Sequence, residues 1–392
     1  MAKSLKVMIV AGEPSGDLLG AGLMAALRKA CDTKVTFVGI GGEEMAKEGL
    51  LSLFPLSDLS VMGIAEVLPR LFLLLRRIRE TVELAKTERP DVLVTIDSPG
   101  FSFRIAAKIK AFGIPVVHYV APHVWAWRPG RAKKMPKYID HLLALLPFEP
   151  PFFEPYGMSC AFVGHPVATR IAARQVNADP VAFSQKYDLP VGGQKLLLLP
   201  GSRMSEVSRL LPEYRRVWQS LYQRSKNLTA IIPVVPSVTA AIEEEVSTWP
   251  GQVVLVHDRG DHGGAFSIAT AALAASGTAI LELALSRVPT VACYKTGAIT
   301  AFLVRGLIKT PYLTLPNLLL EREAIPEFLQ ENCDSEKLTT AVERLLNDET
   351  SAAEQISNSA QLYQLLGGDN PNSPSERAAQ EILAFLERRR AS

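Results

Sequence analysis

The sequence has few cysteines and almost no net charge. Its 392 residues include 42 basic and 40 acidic side chains, a formal charge of +2, so composition indicates neither a nucleic-acid-wrapping protein nor an acidic tail. The four cysteines are dispersed and form no Cys-x-x-Cys pair. This pattern is typical of reduced thiols in a cytosolic protein and disfavours a disulfide scaffold or a thiolate metal site.

Long hydrophobic runs are also missing. The apolar run near the start, residues 7–10, is soon followed by Gly12 and Glu13 and is too short for a signal peptide. The longest uncharged stretch, residues 263–281, is interrupted by serine, threonine and glycine, whereas a bilayer span needs about 20 mainly apolar residues. We therefore expect no transmembrane segment.

Short apolar runs alternate with longer segments of helical spacing, and 48% hydrophobic residues suffice for a core in each of two or three domains. Continuous apolar strands separated by helices predict parallel sheets covered on both faces, hence a doubly wound α/β fold. The candidate strands are residues 6–10, 35–39, 92–96, 116–120 and 142–146, then 195–199, 230–235, 253–256, 271–275 and 290–294.

A polar interval separates the two sets of strands. We place a linker near residues 166–190, between an N-terminal domain (1–175) and a C-terminal domain (190–365). The turn-rich segment 367–374 precedes a final helix, residues 375–390, which we expect to return to another domain or to a second subunit.

The first candidate site is the turn after the first predicted strand, Gly12-Glu13-Pro14-Ser15-Gly16-Asp17. Glycines permit a tight turn, and a helix N-terminus offers N–H groups to a polar ligand. The dinucleotide fingerprint Gly-x-Gly-x-x-Gly is absent from this turn. Two interpretations of this turn stay open: it is purely structural, or it faces a ligand. Glu13 favours the second, because a carboxylate at the carboxyl end of a parallel strand lies where such folds bind ligands.

The second candidate is Asp97, which follows the strand 92–96 and precedes a Pro-Gly turn. An aspartate at the carboxyl edge of a sheet can accept a proton from a substrate hydroxyl. The alternative is a turn-forming or helix-capping aspartate.

The third candidate is the segment 118–128, which contains two of the four tryptophans, Trp125 and Trp127. Their rings suit a sugar or aromatic ligand, although packing at a domain interface is the commoner use of such residues. His118 and His123 lack a third ligand at suitable spacing, and no Asp-x-Asp occurs. We therefore predict no metal site.

The fourth candidate is Pro200-Gly201-Ser202-Arg203, between a buried strand and a helix. Loop amides and the helix N-terminus attract a phosphate, and the Arg203 fork can bind it through two donors. The P-loop lysine is missing, which disfavours a nucleoside triphosphatase. The alternative is an arginine that packs at a domain interface.

The fifth candidate is Ser276-Gly277-Thr278, which follows another predicted strand. These residues can bind a second face of a phosphate. If a helix starts near Thr278, Glu282 lies one turn further along and can accept hydrogen bonds from both ribose hydroxyls. Together the fourth and fifth candidates predict a nucleoside-diphosphate pocket in the second domain.

The sixth candidate is an amphipathic helix over residues 61–80. At 100° per residue its apolar side chains fill one broad arc, with arginines opposite and Leu73 stranded among them. A core-facing helix that starts or kinks at Pro69 is one interpretation, and a helix lying among lipid headgroups is the other. The basic run 128–137 could add attraction to anionic lipid or to substrate phosphate. The residues predicted to contact lipid are Leu68, Leu71, Phe72, Leu73, Leu75, Arg76 and Arg77.

Several segments occur in the order found in one protein family: AGEPSGD, VMGIAEVLPRL, HYVAPHVWAW, LLPFE, FVGHP, LLPGSR, ASGTAILE and LPNLL. The chain resembles the lipid-A-disaccharide synthases from end to end. The resemblance implies a GT-B glycosyltransferase fold, with two Rossmann-like domains facing a cleft and the closing helix, residues 375–392, packed back on the first domain. Helix exchange between two copies would give a homodimer.

The resemblance also implies a reaction. The family transfers 2,3-diacylglucosamine from its UDP donor to 2,3-diacylglucosamine 1-phosphate, with inversion, to give a β-1,6-linked disaccharide and UDP. It needs no cofactor or metal, and it works as a peripheral protein on the inner face of the bacterial inner membrane. No nucleic-acid partner is implied.

Residue roles follow from the matching motifs. Asp97 matches the family's essential aspartate, the candidate base, and Arg203 matches the arginine that stabilises the departing UDP. The remaining substrate-binding residues implied by the motifs are Glu13, Ser15, Gly16, Trp127, Gly201, Ser202, Ser276, Gly277, Thr278, Glu282 and Asn317. The chain departs from the family pattern after Asp97, where Gly100 and Ser102 replace an acid and an amide.

Three rival functions use parts of the same pattern. A UDP-N-acetylglucosamine epimerase of the same architecture would share the nucleotide pocket but has no need of a lipid-facing helix. A dinucleotide-dependent oxidoreductase would need the absent glycine fingerprint. A membrane-binding protein without enzymatic activity would explain the helix at 61–80 but not the pocket.

Overall fold

The computed structural model describes residues 4–59, 64–125, 129–297 and 310–391, without the side chains of residues 64–70 and 129. The chain forms two compact units. The first comprises Met1–Pro166 with Leu366–Ser392, and the second comprises Val167–Leu365.

The first unit contains a six-stranded parallel sheet in the order β2-β1-β3-β4-β5-β6. Its central strands are apolar on both faces, as in β3, where all residues are buried. The strands are β1 (Leu5–Ala11), β2 (Val35–Ile40), β3 (Val92–Ile96), β4 (Val116–Tyr119), β5 (His141–Ala144) and β6 (Ser159–Phe162), and the helices are α1 (Pro14–Ala30), α2 (Glu43–Lys47), α3 (Ile64–Glu88) and α4 (Pro99–Lys110).

The second unit has its own six-stranded parallel sheet, in the order β12-β11-β10-β7-β8-β9. The strands are β7 (Gln194–Leu199), β8 (Leu228–Pro233), β9 (Gln252–Val256), β10 (Ala271–Ala275), β11 (Thr290–Tyr294) and β12 (Glu327–Leu329). The helices are α5 (Pro166–Asn177), α6 (Pro180–Lys186), α7 (Met204–Arg224), α8 (Thr239–Val246), α9 (His262–Ile268), α10 (Thr278–Leu285), α11 (Leu315–Leu320), α12 (Ser335–Asn347) and α13 (Glu349–Leu365).

All ten predicted strands are confirmed. The sequence pattern missed β6 and β12, two short strands at sheet edges whose residues are largely half-exposed and therefore lack a continuous apolar run.

The predicted linker at 166–190 contains the boundary between the two units, which lies between Pro166 and Val167. Most of it forms α5 and α6, which bury Val167, Ala168, Ile171 and Phe183. Asp179 caps α6 by accepting hydrogen bonds from the N–H groups of residues 181 and 182. The segment is polar because each of these helices has only one buried face.

The final helix, α14 (Pro374–Ala391), packs along α1 within the first unit. Its Ala378, Ala379, Ile382 and Leu386 share one buried cluster with apolar residues of α1. Lys29 of α1 also pairs with Glu376 of α14 at 2.7 Å.

Neither unit places a membrane-crossing helix among its described residues, because none is both long and apolar enough. Helix α3 begins at Ile64, so Pro69 does not start it as one interpretation predicted.

Both sheets share a topological feature that positions the candidate sites. In the first unit β1 lies between β2 and β3, and in the second unit β7 lies between β8 and β10. The winding reverses direction beside β1 and again beside β7. Such a switch point leaves a crevice at the carboxyl edge of the sheet, where open α/β folds bind ligands.

Candidate active site

The loops that follow β1 and β3 contact each other at the switch point of the first sheet. A Cβ placed on the buried Gly12 would lie 2.4 Å from the Cβ of Ser98, so only glycine fits there without displacement. The Ser98 hydroxyl donates to Glu13 Oε1 at 3.5 Å. Glu13 and Ser15 are exposed, whereas Gly16 packs against Ala11 and Ile96.

Asp97 and Ser98 both have left-handed backbone conformations, with φ of +49° and +44°. Two consecutive non-glycine residues in this region store strain, a feature that clusters at functional sites. The Asp97 N–H donates to the Tyr119 carbonyl at 2.9 Å, and the buried Ser102 hydroxyl donates to the Asp97 carbonyl at 2.7 Å. Ser102, part of the departure from the family pattern, therefore supports the backbone of Asp97.

The Asp97 side chain is half-exposed at the carboxyl edge. Its Oδ1 accepts the N–H of Ser98 at 2.8 Å. Within the described ranges, no hydrogen bond reaches its Oδ2. One carboxylate oxygen is thus held in place while the other can meet a substrate hydroxyl.

The loop after β4 carries His123 and Trp125. It begins at Val120, whose φ of +79° is strained for a β-branched residue. The His123 ring lies 5.4 Å from the Trp125 ring. His123 retains exposed surface, but the surrounding protein atoms desolvate its ring and lower its pKa, and the charge of Asp97 opposes that lowering. Trp127 and Arg128 lie outside the described residues.

Glu149, after β5, is a buried carboxylate that the residue-by-residue reading of the sequence did not select. Its Oε1 accepts the indole N–H of Trp125 at 3.3 Å, and its Oε2 accepts the N–H groups of Leu145 and Leu146 at 3.2 and 3.0 Å. Burial raises its pKa to about 7, although these hydrogen bonds act in the opposite direction. The signal available in the sequence was an acid shortly after a strand, in LLPFE.

His118 is an interior residue of β4. It has no exposed surface, its Nδ1 lies 2.8 Å from the Thr95 hydroxyl, and burial lowers its pKa to about 3. Across the residues that the structure describes, no group of three or more His, Cys, Asp or Glu side chains is arranged to hold a metal ion.

In the second unit, the loops after β7 and β10 lie beside each other at the switch point. Gly201 has a φ of +116°, and a Cβ placed there would lie 2.7 Å from the Glu206 Cβ. Gly201 is therefore required by the turn itself. Ser202 and Arg203 follow it, and both are exposed.

Glu206 accepts hydrogen bonds from the loop N–H groups that we expected to face a phosphate. Its Oε2 accepts the N–H groups of Ser202 and Arg203 at 3.1 and 3.4 Å. Its Oε1 lies 3.2 Å from the Arg203 guanidinium, which is 63% exposed. In this arrangement, the side chains of Ser202 and Arg203 are the groups of this loop that can reach an anion.

The loop after β10 has the predicted form. Helix α10 starts at Thr278, as expected, and Gly277 and Thr278 are exposed while Ser276 is half-buried. A Cβ placed on Gly277 would meet no atom within 4 Å. The loop therefore opens onto free space beside the β7 loop.

Glu282 forms ion pairs with two arginines of α5. Its Oε1 accepts from Arg170 and its Oε2 accepts from Arg174 at 2.9 Å. Each carboxylate oxygen can accept a second hydrogen bond, so contact with ribose stays a prediction. Both arginines also line a cavity of ≈ 420 Å³ together with Lys186, Gly260, Asp261, Gly263 and Gly264.

Asn317 is fully buried and saturated with internal hydrogen bonds. Its amide nitrogen donates to the Ile325 carbonyl and to Glu327, each at 2.8 Å, and its oxygen accepts the N–H groups of Ala324 and Ile325. In this arrangement Asn317 shapes the segment around α11, and it has no hydrogen-bonding capacity left for direct contact with a ligand.

The middle of α3 presents apolar side chains to solvent. Leu71, Phe72 and Leu75 are 42%, 85% and 42% exposed, while Leu73 is half-buried. Further along the helix, Ile78 and Val82 join the core. The core-facing interpretation therefore holds for the second half of α3 and fails for Leu71, Phe72 and Leu75. Leu68 lies among the residues whose side chains are not described.

Arg76 and Arg77 differ in environment. Arg76 is 71% exposed and pairs with Glu80 at 2.7 Å. Arg77 is 18% exposed, pairs with Asp58 at 2.6 Å and lies 4.6 Å from the centre of the Phe54 ring. Arg77 therefore fastens the segment before α3 to the helix and is not free to face lipid.

Two Rossmann-like units, each with polar loops at its switch point, define the GT-B class of fold. The S. aureus MnaA–UDP co-structure matches 98% of this chain and 97% of its own with a TM-score of 0.66 and 14% identity. A UDP-GlcNAc 2-epimerase from Neisseria meningitidis, bound to UDP-GlcNAc, has a TM-score of 0.63 and 11% identity. The match covers 98% of this chain and 100% of its own. The kitacinnamycin glycotransferase has a TM-score of 0.61 and 15% identity over 97% of this chain and 99% of its own.

Sequence comparison places the chain within that class. The family model for lipid-A-disaccharide synthetase matches residues 7–382. The lipid-A-disaccharide synthase of Rhodospirillum centenum is 45% identical over 99% of this chain and 96% of its own, and that of Paramagnetospirillum magneticum is 44% identical over 97% of each. The chain belongs to the lipid-A-disaccharide synthetase family.

Proposed function

We propose that the chain transfers 2,3-diacylglucosamine from its UDP donor to 2,3-diacylglucosamine 1-phosphate, giving a β-1,6-linked disaccharide and UDP. One observation carries the assignment of chemistry to residues. In each sheet, the loops at the switch point present the side chain that this reaction needs: Asp97 in the first unit and Arg203 in the second.

Asp97 serves as the base. The 6-hydroxyl oxygen of the acceptor attacks C1 of the donor sugar and gives its proton to Asp97 as the new C–O bond forms. The bond from C1 to the diphosphate oxygen breaks, and UDP leaves with the electron pair. A single displacement inverts the anomeric carbon, which is consistent with an α-linked donor and a β-linked product. The held Oδ1 orients the carboxylate for this step.

Arg203 stabilises the charge that develops on the departing diphosphate. Its exposed guanidinium offers two parallel donors to phosphate oxygens, and Glu206 keeps the loop beneath it in position. Ser202, Ser276, Gly277 and Thr278 complete the phosphate side. No metal or other cofactor takes part in this proposal.

Glu282 and the adjoining cavity are the place for the nucleoside. A volume of ≈ 420 Å³ is within the range of small-molecule pockets. Arg170 and Arg174 hold the Glu282 carboxylate, so its remaining lone pairs can accept from the ribose hydroxyls.

The middle of α3 is the membrane contact. Leu71, Phe72 and Leu75 together expose a large apolar surface next to the cationic Arg76, a combination that suits the headgroup region of an anionic bilayer. Lys133, Lys134 and Lys137 are exposed in the basic run and add attraction. The protein would then work at the inner face of the bacterial inner membrane, where its acylated substrates lie.

A homodimer by helix exchange remains compatible with this proposal. Exchange of α14 between two copies would repeat in trans the contacts that α14 makes with α1 in one chain. The epimerase alternative is not favoured, because the epimerase structures share the fold at 16% identity or less while the synthase relatives reach 45%.

The test is incubation of the purified protein with UDP-2,3-diacylglucosamine and 2,3-diacylglucosamine 1-phosphate in detergent micelles. We expect disaccharide and UDP in equal amounts, and no product when either substrate is omitted. Consumption of the donor without disaccharide, or epimerisation of UDP-N-acetylglucosamine, would contradict the proposal.

A further inference from the structure

Three adjacent strands lead to loops that carry polar or aromatic side chains. Strands β3, β4 and β5 are neighbours in the first sheet, and their carboxyl ends lead to Asp97, to the loop of His123 and Trp125, and to Glu149. Asp97 and His123 are half-exposed or exposed at the edge, whereas Glu149 is only 2% exposed behind them.

Glu149 is bonded on both carboxylate oxygens. One oxygen holds the N–H groups of Leu145 and Leu146 in its own turn, and the other holds the indole N–H of Trp125 in the neighbouring loop. No ion pair with Glu149 occurs among the described side chains. Burying a carboxylate without a paired cation costs free energy. Charge pairing therefore does not explain why Glu149 is buried here.

The Trp125 ring is fixed from two sides. Phe148 packs edge-on against it at 5.2 Å between ring centres, and its N–H is held by Glu149. The His123 ring also packs against Trp125, with 5.4 Å between the two ring centres. The loop that carries His123 and Trp125 is compact, because the Val124 N–H donates to the Pro122 carbonyl at 2.6 Å.

We propose that Glu149 is a positioning residue for the acceptor side of the active site. Its carboxyl group holds Trp125, and Trp125 packs against His123 in the loop after β4. That loop follows Tyr119, whose carbonyl accepts the Asp97 N–H. This inference rests on the proposed function for its catalytic consequence, but the structural link from Glu149 to His123 does not depend on it.

The link predicts that the coupling between Asp97 and His123 depends on Glu149. The Asp97 charge raises the pKa of His123, so Asp97→Asn should lower it. Both Glu149 oxygens accept hydrogen bonds, and Glu149→Gln replaces one of them with an NH2 group that cannot accept. Either the Trp125 N–H or the turn at residues 145–146 then loses its acceptor, and the His123 loop loosens. The shift that Asp97→Asn causes in the pKa of His123 should then become smaller.

The test is nuclear magnetic resonance titration of the histidine side chains in the full chain. His123 is identified by the signal missing in His123→Asn. Four proteins are compared: the natural sequence and Asp97→Asn, each with and without Glu149→Gln. Trp125→Phe replaces Glu149→Gln in a second set, since it keeps a ring but removes the N–H.

The matched control is Glu154→Gln, which changes an exposed acid in the following turn. We expect Glu149→Gln and Trp125→Phe each to reduce the Asp97–His123 coupling, and the double variant to reduce it no further than either alone. An unchanged coupling in folded Trp125→Phe or Glu149→Gln protein would overturn the proposal, as would an equal effect of Glu154→Gln.

Turnover provides the second readout. Glu149→Gln should lower kcat on the order of 10- to 100-fold with little change in the KM for the UDP donor, because the second unit is untouched. If the natural sequence forms no disaccharide, the proposed function fails, whereas the titration still decides the link. If the titration shows no link while the natural sequence is active, only the positioning role fails.

Discussion

Gly12 and Ser98 are in such close contact that a methyl group on Gly12 would lie 2.3 Å from the Ser98 hydroxyl oxygen. This contact sets the distance between the β1 loop, which carries Glu13, and the β3 loop, which carries Asp97. Because both loops end strands beside the same switch point, their separation defines the width of the crevice in the first unit.

The first prediction concerns that contact. Gly12→Ala should displace Ser98 and with it the strained backbone of Asp97, because the methyl group would meet Cβ and Oγ instead of a flexible chain end. We expect a loss of about 1–3 kcal/mol in the free energy of unfolding. Turnover should fall on the order of 100-fold. Urea unfolding and initial rates of disaccharide formation measure the two effects.

Gly100→Ala is the matched control for Gly12→Ala. Gly100 lies in the same β3–α4 region, is exposed, and would give its new Cβ no neighbour within 4 Å. Alanine should stabilise α4 by at most about 1 kcal/mol and leave turnover near the natural value. Equal losses in both variants would show that the Gly12 contact is not what positions Asp97.

The second prediction concerns Arg203. Arg203→Ala should weaken UDP binding by about 1.5–3 kcal/mol, roughly 10- to 100-fold, and slow transfer, because a charged hydrogen-bond donor to the diphosphate is lost. Calorimetric titration with UDP measures the affinity. Arg224→Ala, which removes the same charge at the far end of α7, should leave UDP affinity unchanged. Natural affinity in Arg203→Ala would remove the phosphate role from this residue.

The third prediction concerns α3. Phe72→Ser should weaken binding to vesicles that contain phosphatidylglycerol by about 10- to 100-fold, since inserting a phenylalanine side chain contributes about 1.5–3 kcal/mol. Vesicle sedimentation measures the partition. Phe112→Ser changes another exposed phenylalanine of the first unit, 48% exposed beyond the end of α4, and should have little effect. If the two variants bind equally, α3 is not the lipid contact.

The fourth prediction concerns pH and Glu149. Its carboxyl group keeps a proton in the folded protein up to a pKa of about 7, whereas the unfolded chain releases that proton near 4.5. Unfolding between these values therefore releases a proton, and the contribution of Glu149 to stability falls as pH rises through this window. The full effect is about 3 kcal/mol.

The stability difference between the natural sequence and Glu149→Gln isolates this effect, because other groups titrate alike in both. Relative to Glu149→Gln, we expect the free energy of unfolding of the natural sequence to fall from pH 4.5 to 7. The difference should be constant above pH 8. Urea unfolding at a series of pH values measures it. A difference that does not vary with pH would show that the Glu149 pKa is close to its ordinary value.

The sequence predicted the fold well because the central strands are continuous apolar runs bounded by turns. It also predicted Asp97, Arg203 and Thr278 at strand ends, because the position of a residue after a parallel strand determines the sheet edge on which it lies. The helices within the segment 166–190 were not predicted, because helices with one buried face are mostly polar in sequence.

Other features depended on contacts that no local pattern reports. Glu206 takes the loop amides of Ser202 and Arg203, and Asn317 is enclosed by hydrogen bonds within its own segment. Glu149 is separated from Trp125 by 24 positions in the chain, so their contact follows only from the adjacency of β4 and β5. A buried acid of this kind reads from sequence as an ordinary surface residue.

The most direct test of the account is the Asp97→Asn variant, measured for both disaccharide formation and donor binding. Asparagine tolerates the left-handed backbone and can still accept the Ser98 N–H, so the fold should persist. We predict that turnover falls about 10²- to 10⁴-fold while the Kd for the UDP donor stays near its natural value. Near-natural turnover in a folded Asp97→Asn protein would contradict the assignment of Asp97 as the base.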